Sequence, residues 1–391
     1  MRPMTLAPLR VLLVSLLALP CALVQAATWQ VTLLEDQNSP DLERARWERA
    51  YLGHPGGPAS DGWNQALEDA RFELEAAHTQ INWKAQSVSS LEAARTAAQQ
   101  AEKAGHQALV VNLPASWVAA LAGAVKVPVI NVGAGADSLR EAQCRRNLLH
   151  TLPSERMRTD AMAQTLIARK WTQVLLLAGV SEEDRIRSAT AQASLRRYGL
   201  KLVGERPFKL SADPRERDLA NTKLLTSGVN YDAVWVVDSD GEFARTLPYN
   251  IQAARPVVGD AGLVALGWHP QYERFGAPQV SRRFAKTYKR PMTQQDWASW
   301  MAGKSITLAA NGLGKGGAPE LLAALNQLSL DGSKGVTMQF RPWDGQLQQT
   351  LLLTDGQGVI GTAPVEGVLH PRNALDTLGA DSPEKRCPNR P

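Results

Sequence analysis

The stretch Ala108–Arg140, ALVVNLPASWVAALAGAVKVPVINVGAGADSLR, decides the fold. It opens on an apolar β-like run, Ala108 to Val111, and passes at Pro114 into a helical period, Ala115 to Ala124. Proline is tolerated there because the first helical turn leaves its N–H groups unpaired. A second apolar run, Val127 to Val132, follows at once, and Gly133 and Gly135 then lead to a helix start at Asp137 or Ser138. Strand, helix and strand in about 25 residues is the unit of a parallel sheet covered by helices.

The same alternation extends in both directions. Upstream lie a strand at Thr28 to Leu34, a helix at Asn64 to Ala77, a strand at Thr79 to Lys84 and a helix at Leu91 to Ala104. Downstream the series restarts: helix Arg156 to Arg169, strand Gln173 to Leu177, helix Glu183 to Tyr198, strand Lys201 to Pro207, helix Arg215 to Thr226, strand Ala233 to Val237. Two βα series separated near Leu148 to Pro153 predict an α/β protein of two doubly wound parallel-sheet lobes. After Gly262 come helices at Gln279 to Tyr288 and Asp296 to Asn311, then strands at Val336 to Phe340, Leu347 to Leu353 and Val359 to Thr362. These last elements have no sheet of their own to cover and are expected to pack back on both lobes. Glu35 to Trp63 is a long connection whose segment Asp41 to Leu52 reads as a surface helix.

Residues 1–26 have the pattern of an export leader: Arg2 and Arg10, an apolar core from Val11 to Leu19, and small residues at Val24 and Ala26. The core is half the length of a membrane span and is interrupted by Pro20, so no membrane insertion is expected after cleavage near Ala26. Pro20 before Cys21 also argues against a lipid anchor. Roughly 365 residues remain, more than one hydrophobic core usually serves. The net charge is +5, two of it in Arg2 and Arg10, and its dispersal predicts no nucleic-acid partner.

Cys144 and Cys387 are the cysteines left in an exported chain. A bridge between them is expected, the alternative being two buried thiols. The histidines are scattered singly, so no metal site and no cofactor are expected. The chain has no G-x-S-x-G elbow and no HExxH, and GLGKGG at Gly312 to Gly317 lacks the P-loop pattern. An enzyme is not expected.

Candidate ligand residues sit where strands end. In the first lobe these are Asn112, Trp117 one turn into the next helix as an apolar wall or as core, Asn131, and the turn Gly133, Ala134, Gly135. In the second, VWVVDSDGEFAR (234–245) places Asp238 and Asp240 after a buried strand, with Asp184 and Asp260 in comparable positions. Gly259 and Gly262 suit a chain crossing between lobes.

Three stretches carry a family resemblance. KVPVINVGAGADSLR (126–140), HTLPSERMRTDAMAQTL (150–166) and SKGVTMQFRPWDGQLQQTLLL (333–353) resemble, in order, the first-lobe turn, the first crossing and the closing hairpin of type I periplasmic binding proteins of the branched-chain amino acid type. The runs CRRNLLHTLPSERM, PVVGDAGLVALGWHPQYERFGAPQ, FRPWDGQLQQ, EGVLHP and LDTLGADSPEKRC are similar to a divergent branch found with pyrroloquinoline-quinone (PQQ)-dependent alcohol dehydrogenase systems. The resemblance implies two lobes joined by a multi-strand hinge: residues 27–150 with a return at 261–334, and 151–260 with a closing hairpin at 335–370, followed by a tail at 371–391. It also implies a periplasmic solute-binding component of an ABC importer, a small polar organic ligand, an ABC permease as partner and a link to PQQ-dependent alcohol oxidation. A docking or assembly factor for a periplasmic dehydrogenase or membrane sensor is the alternative on the same fold. Amino-acid binders of this type hold the ligand's ends with hydroxyls in the two first-lobe turns. Here those turns read Asn112-Leu113-Pro114 and Gly133-Ala134-Gly135-Ala136, which predicts poor binding of leucine, isoleucine and valine.

Overall fold

The computed structural model describes residues 26–39, 42 and 56–390. The leader and most of the expected surface helix at Asp41 to Leu52 lie outside them.

The first sheet is five parallel strands, β1 (Ala27–Asp36), β2 (Thr79–Val88), β3 (Ala108–Asn112), β4 (Val129–Asn131) and β5 (Leu148–His150), in the order β2-β1-β3-β4-β5. Strands buried on both faces must be apolar throughout, and β3 is buried at every position. One face carries α1 (Ala59–Asp69) and α2 (Arg71–Ala76); the other carries α3 (Leu91–Lys103) and α4 (Ala115–Ala124). The second sheet, β6 (Gln173–Ala178), β7 (Lys201–Pro207), β8 (Ala233–Val237) and β9 (Val257–Gly259), is also parallel, in the order β7-β6-β8-β9. It is flanked by α5 (Glu155–Ala168), α6 (Glu182–Arg197), α7 (Thr222–Leu225) and α8 (Glu242–Asn250).

The return segment contributes β10 (Val264–Leu266), then α9 (Ala277–Tyr288), α10 (Gln294–Leu313) and α11 (Ala318–Gln327), whose apolar faces complete the core of the first lobe around Trp63, Phe284, Trp297 and Leu321. A short ladder, β11 (Leu330–Asp331) with β12 (Thr337–Met338), and a hairpin, β13 (Leu351–Thr354) with β14 (Val359–Ala363), close the chain; β10 pairs with β13.

Several expectations shift for identifiable reasons. The helix expected over Arg215 to Thr226 divides into a 3-10 segment, Pro214–Ala220, and α7, because Asp213 and Asn221 each cap their own turn. The helix expected to start at Asp137 or Ser138 is a single 3-10 turn, Asp137–Leu139. The strand expected over Leu347 to Leu353 is paired as a ladder only from Leu351, since the residues before it run through the hinge. Gly259 and Gly262 shape a tight turn inside the second lobe, with φ of 109° and 67°. A Cβ at either would strike a carbonyl oxygen, of Val236 or Val257 respectively. The chain crosses later, at Gly267, which packs against Pro153 and Gln349 of the two other crossing segments. Those segments are cross-linked: Leu347 N donates to His150 O (2.8 Å), and Gln349 Nε2 to Thr151 O (2.9 Å). Three adjacent crossings make a hinge.

Candidate functional site

In an open α/β sheet the crevice for a ligand lies beyond the C-terminal strand ends where the strand order reverses. That point is between β1 and β3 in the first lobe and between β6 and β8 in the second. The two points face each other across a cleft of 1690 Å³, lined by Asp36, Asn112 and Gly133–Asp137 on one side and by Glu183, Arg187 and Asp238–Gly241 on the other.

Asn112 lies on the first-lobe edge. Its Nδ2 donates to Glu35 Oε1 (3.3 Å), the same oxygen that accepts Ala59 N at the start of α1 (2.6 Å). Gly133 must lack a side chain, because a Cβ there would stand 2.0 Å from Asn112 Oδ1. Asn131 is fully buried and does not line the cleft. Its Oδ1 accepts Gly133 N (3.3 Å) and Ala134 N (2.9 Å) while Nδ2 donates to Ala134 O (2.7 Å), so it shapes the turn that Gly133, Ala134 and Gly135 present. Trp117 is also absent from the lining and packs against the core between α3, α4 and the sheet. Half-buried, it packs on the outside of that core and not on the cleft.

On the second-lobe edge Asp184 is buried behind the lining. It accepts Ser181 Oγ (2.7 Å) and Ser239 N (2.7 Å), tying the loops after β6 and β8 together. Asp238 faces the cleft, and its Oδ2 caps α8 by accepting Ala244 N (2.8 Å); burial pushes this carboxyl above its ordinary range. Asp240 lines the cleft beside it. Asp260 is held from three directions: Oδ2 accepts Asp238 N (2.8 Å), Oδ1 accepts Arg187 Nη2 (2.5 Å), and Arg158 lies 3.9 Å away.

Sequence reasoning missed the partners of Asp260. Glu155 receives Arg187 (3.3 Å) and Arg158 (3.1 Å), so two guanidiniums alternate with two carboxylates along the floor. Burial raises the Glu155 carboxyl, but the two arginines outweigh it and hold the group below its usual range. The available signal was Glu155 three residues before Arg158 at a helix start; Arg187, and its pairing with the candidate Asp260, had none. The described lining has no aromatic side chain, and its charge is carried by arginines and carboxylates. These charged side chains can grip a ligand by hydrogen bonds and charge.

The lobes also touch. Glu155 N donates to Gly135 O (2.8 Å) and Arg156 N to Asp137 Oδ1 (3.0 Å), so a first-lobe turn satisfies the N-terminus of a second-lobe helix. Asp137 Oδ2 receives Thr190 Oγ1 (3.4 Å), and burial pushes its carboxyl up to about 6. Buried Arg140 joins this turn to the hinge, donating to Ala134 O (2.9 Å), Ala136 O (3.1 Å), Leu152 O (2.9 Å) and Gln346 Oε1 (2.9 Å). Among the described residues no cluster of three or more metal-type side chains occurs, and no helix is long and apolar enough to cross a membrane.

Two facing doubly wound lobes over a three-segment hinge define the type I periplasmic binding protein fold, and solved structures agree. A branched-chain amino acid ABC transporter periplasmic ligand-binding protein from Burkholderia xenovorans LB400 superposes with a TM-score of 0.70 at 14% identity, covering 92% of this chain and 99% of that one. A solute-binding protein from R. palustris in complex with benzoate gives 0.64 at 15% identity, covering 86% and 96%. The leucine-, isoleucine-, valine-, threonine- and alanine-binding protein of Brucella ovis, in its closed conformation, gives 0.64 at 14%, covering 84% and 90%. At these identities the likeness establishes the fold. No protein-family model matches the sequence, and no curated protein matches it.

Proposed function

We propose that this chain is an exported periplasmic solute receptor that closes its two lobes, 27–150 with 261–334 and 151–260 with 335–370, over a small polar organic ligand and presents it to an ABC permease. The observation that carries this reading is the cleft at the paired switch points, lined from both lobes above three adjacent crossing segments. Hinge closure about such crossings is how two-lobed binding proteins sequester ligands. Asn112, the turn Gly133–Gly135, Asp238, Asp240 and Asp260 supply the contacts. Asn131 and Asp184 position them from behind.

The lining supports one class of ligand. Solved proteins of this fold hold benzoate or 3,4-dihydroxybenzoic acid; the described lining here carries arginines and carboxylates from both lobes. The pattern of arginines and carboxylates supports a small polyfunctional molecule, and the ordered runs from Cys144 to Cys387 favour a link to PQQ-dependent alcohol oxidation.

Native mass spectrometry of protein purified from its own periplasm tests the reading. Intact mass should begin near Ala27, with a small molecule released on denaturation. Alcohols, aldehydes, carboxylates and PQQ-type compounds are then screened by thermal shift, where a ligand at a hundredfold excess over its Kd stabilises by about 2.7 kcal/mol. Leucine, isoleucine and valine should give no shift at millimolar concentration. Absence of any bound molecule and of any shift, together with capture of a PQQ-dependent dehydrogenase, would replace receptor by docking factor.

A further inference from the structure

The C-terminal tail is the element that this reading leaves unexplained. It begins on the second lobe, where Leu378 is fully buried in that lobe's core. Arg341, itself 1% exposed, donates to Asp376 Oδ1 (2.9 Å), Leu375 O (2.7 Å) and Leu378 O (2.9 Å). Gly379 N donates to Asp160 Oδ2 (2.9 Å) and Gly379 O accepts Arg197 Nη1 (2.8 Å). The tail ends on the first lobe: Cys387 is disulfide-bonded to Cys144, and Arg390 donates to Arg145 O (3.1 Å), Arg146 O (3.0 Å) and Leu148 O (2.8 Å). Eight Cα–Cα steps separate Gly379 from Cys387, a reach of at most about 28 Å if extended. The real span is shorter because Ser382–Glu384 is a capped 3-10 turn.

Midway, Glu384 receives both nitrogens of Arg156 (2.8 and 2.9 Å), and Glu384, Arg386 and Arg156 all line the cleft. Arg156 is the residue whose backbone N–H meets Asp137 of the other lobe. The tail thus crosses between lobes at the side of the cleft and is covalently closed at its far end.

We propose that residues 375–390 form a strap, a fourth connection between the lobes, which limits how far the cleft opens and supplies part of its wall through Glu384 and Arg386. The proposal rests on lobe closure as argued above, but its test needs no ligand. Three hinge segments alone leave the lobes free to rotate; a short link anchored on both bodies removes the widest open states from the ensemble.

Small-angle X-ray scattering and amide hydrogen exchange are measured on the exported protein as purified, on Cys144→Ser/Cys387→Ser, and on native protein reduced after folding, with both thiols shown open by alkylation. Release of the strap should raise the radius of gyration by about 1 Å over the roughly 21 Å of a compact chain of this length. Exchange in the turn Asp137–Cys144 should speed by about tenfold, as local opening becomes easier. An unchanged radius and unchanged exchange in both released forms overturn the strap. Should the double variant lose cooperative unfolding, the reduced native protein decides. A bound ligand found with radius and exchange both unchanged would overturn the strap alone; a change in radius without a ligand would support the strap and count against the receptor reading only.

Discussion

Replacing Gly133 with alanine tests the first-lobe edge most directly. The new methyl would stand 2.0 Å from Asn112 Oδ1 and 3.1 Å from its Cγ, far inside van der Waals contact. Asn112 cannot swing aside without breaking its bond to Glu35, which also caps the start of α1. Overpacking of this kind costs about 1–3 kcal/mol. Asn112→Ala by itself loses its hydrogen bond to Glu35, worth about 0.5–1.5 kcal/mol. In the double variant the methyl meets no amide, so the two losses should not add: the double should fall short of the sum by about 1 kcal/mol or more. Urea unfolding of the four proteins of the cycle measures this. Additivity within about 0.5 kcal/mol, the value for sites that do not touch, would refute the claim that Gly133 is required by Asn112.

Three further outcomes follow from the site. Asp260→Ala leaves Arg187 and Arg158 with Glu155 alone and uncaps Asp238 N, so it should lower stability by about 2–3 kcal/mol and weaken any ligand found by native mass spectrometry; an unaffected ligand affinity would remove Asp260 from the site. Trp117→Ala should cost a similar amount, about 2–3 kcal/mol for a partly buried ring, yet leave ligand affinity at equal folded fraction unchanged, as calorimetry would show. Asp137 has a folded-state carboxyl raised to about 6, so between its unfolded value near 3.8 and 6 the folded chain binds the extra proton, and this group's contribution to stability falls as pH rises through that window. Asp137→Asn should therefore gain stability relative to the parent between pH 4 and 7, read by denaturant unfolding at several pH values; an equal difference at pH 4 and pH 7 would contradict it.

How much of this was legible in the chain depends on the range of the interaction. Strands Lys201–Pro207 and Ala233–Val237 and helix Ala115–Ala124 fall at the residues expected. An apolar run or a helical period between local stop signals is written in consecutive residues, and the two-lobed α/β class follows from their alternation. The helix Glu242–Asn250 was missed because Pro248 lies inside it; β5 was missed because three residues carry no period. Pairing of Cys144 with Cys387 across 243 positions was expected because two cysteines remained, a matter of composition rather than geometry. Tertiary structure decided the rest. The backbone alone carries Gln349 to Thr151 at the hinge, and Arg187 to Asp260 and Glu155 on the cleft floor. The roles of Asn131, Trp117 and Asp184 depend on the direction a side chain takes from a strand end or helix turn, set by packing with residues far away in sequence. Periodicity specifies which face of an element is buried; it carries no information on which distant charge will meet it there.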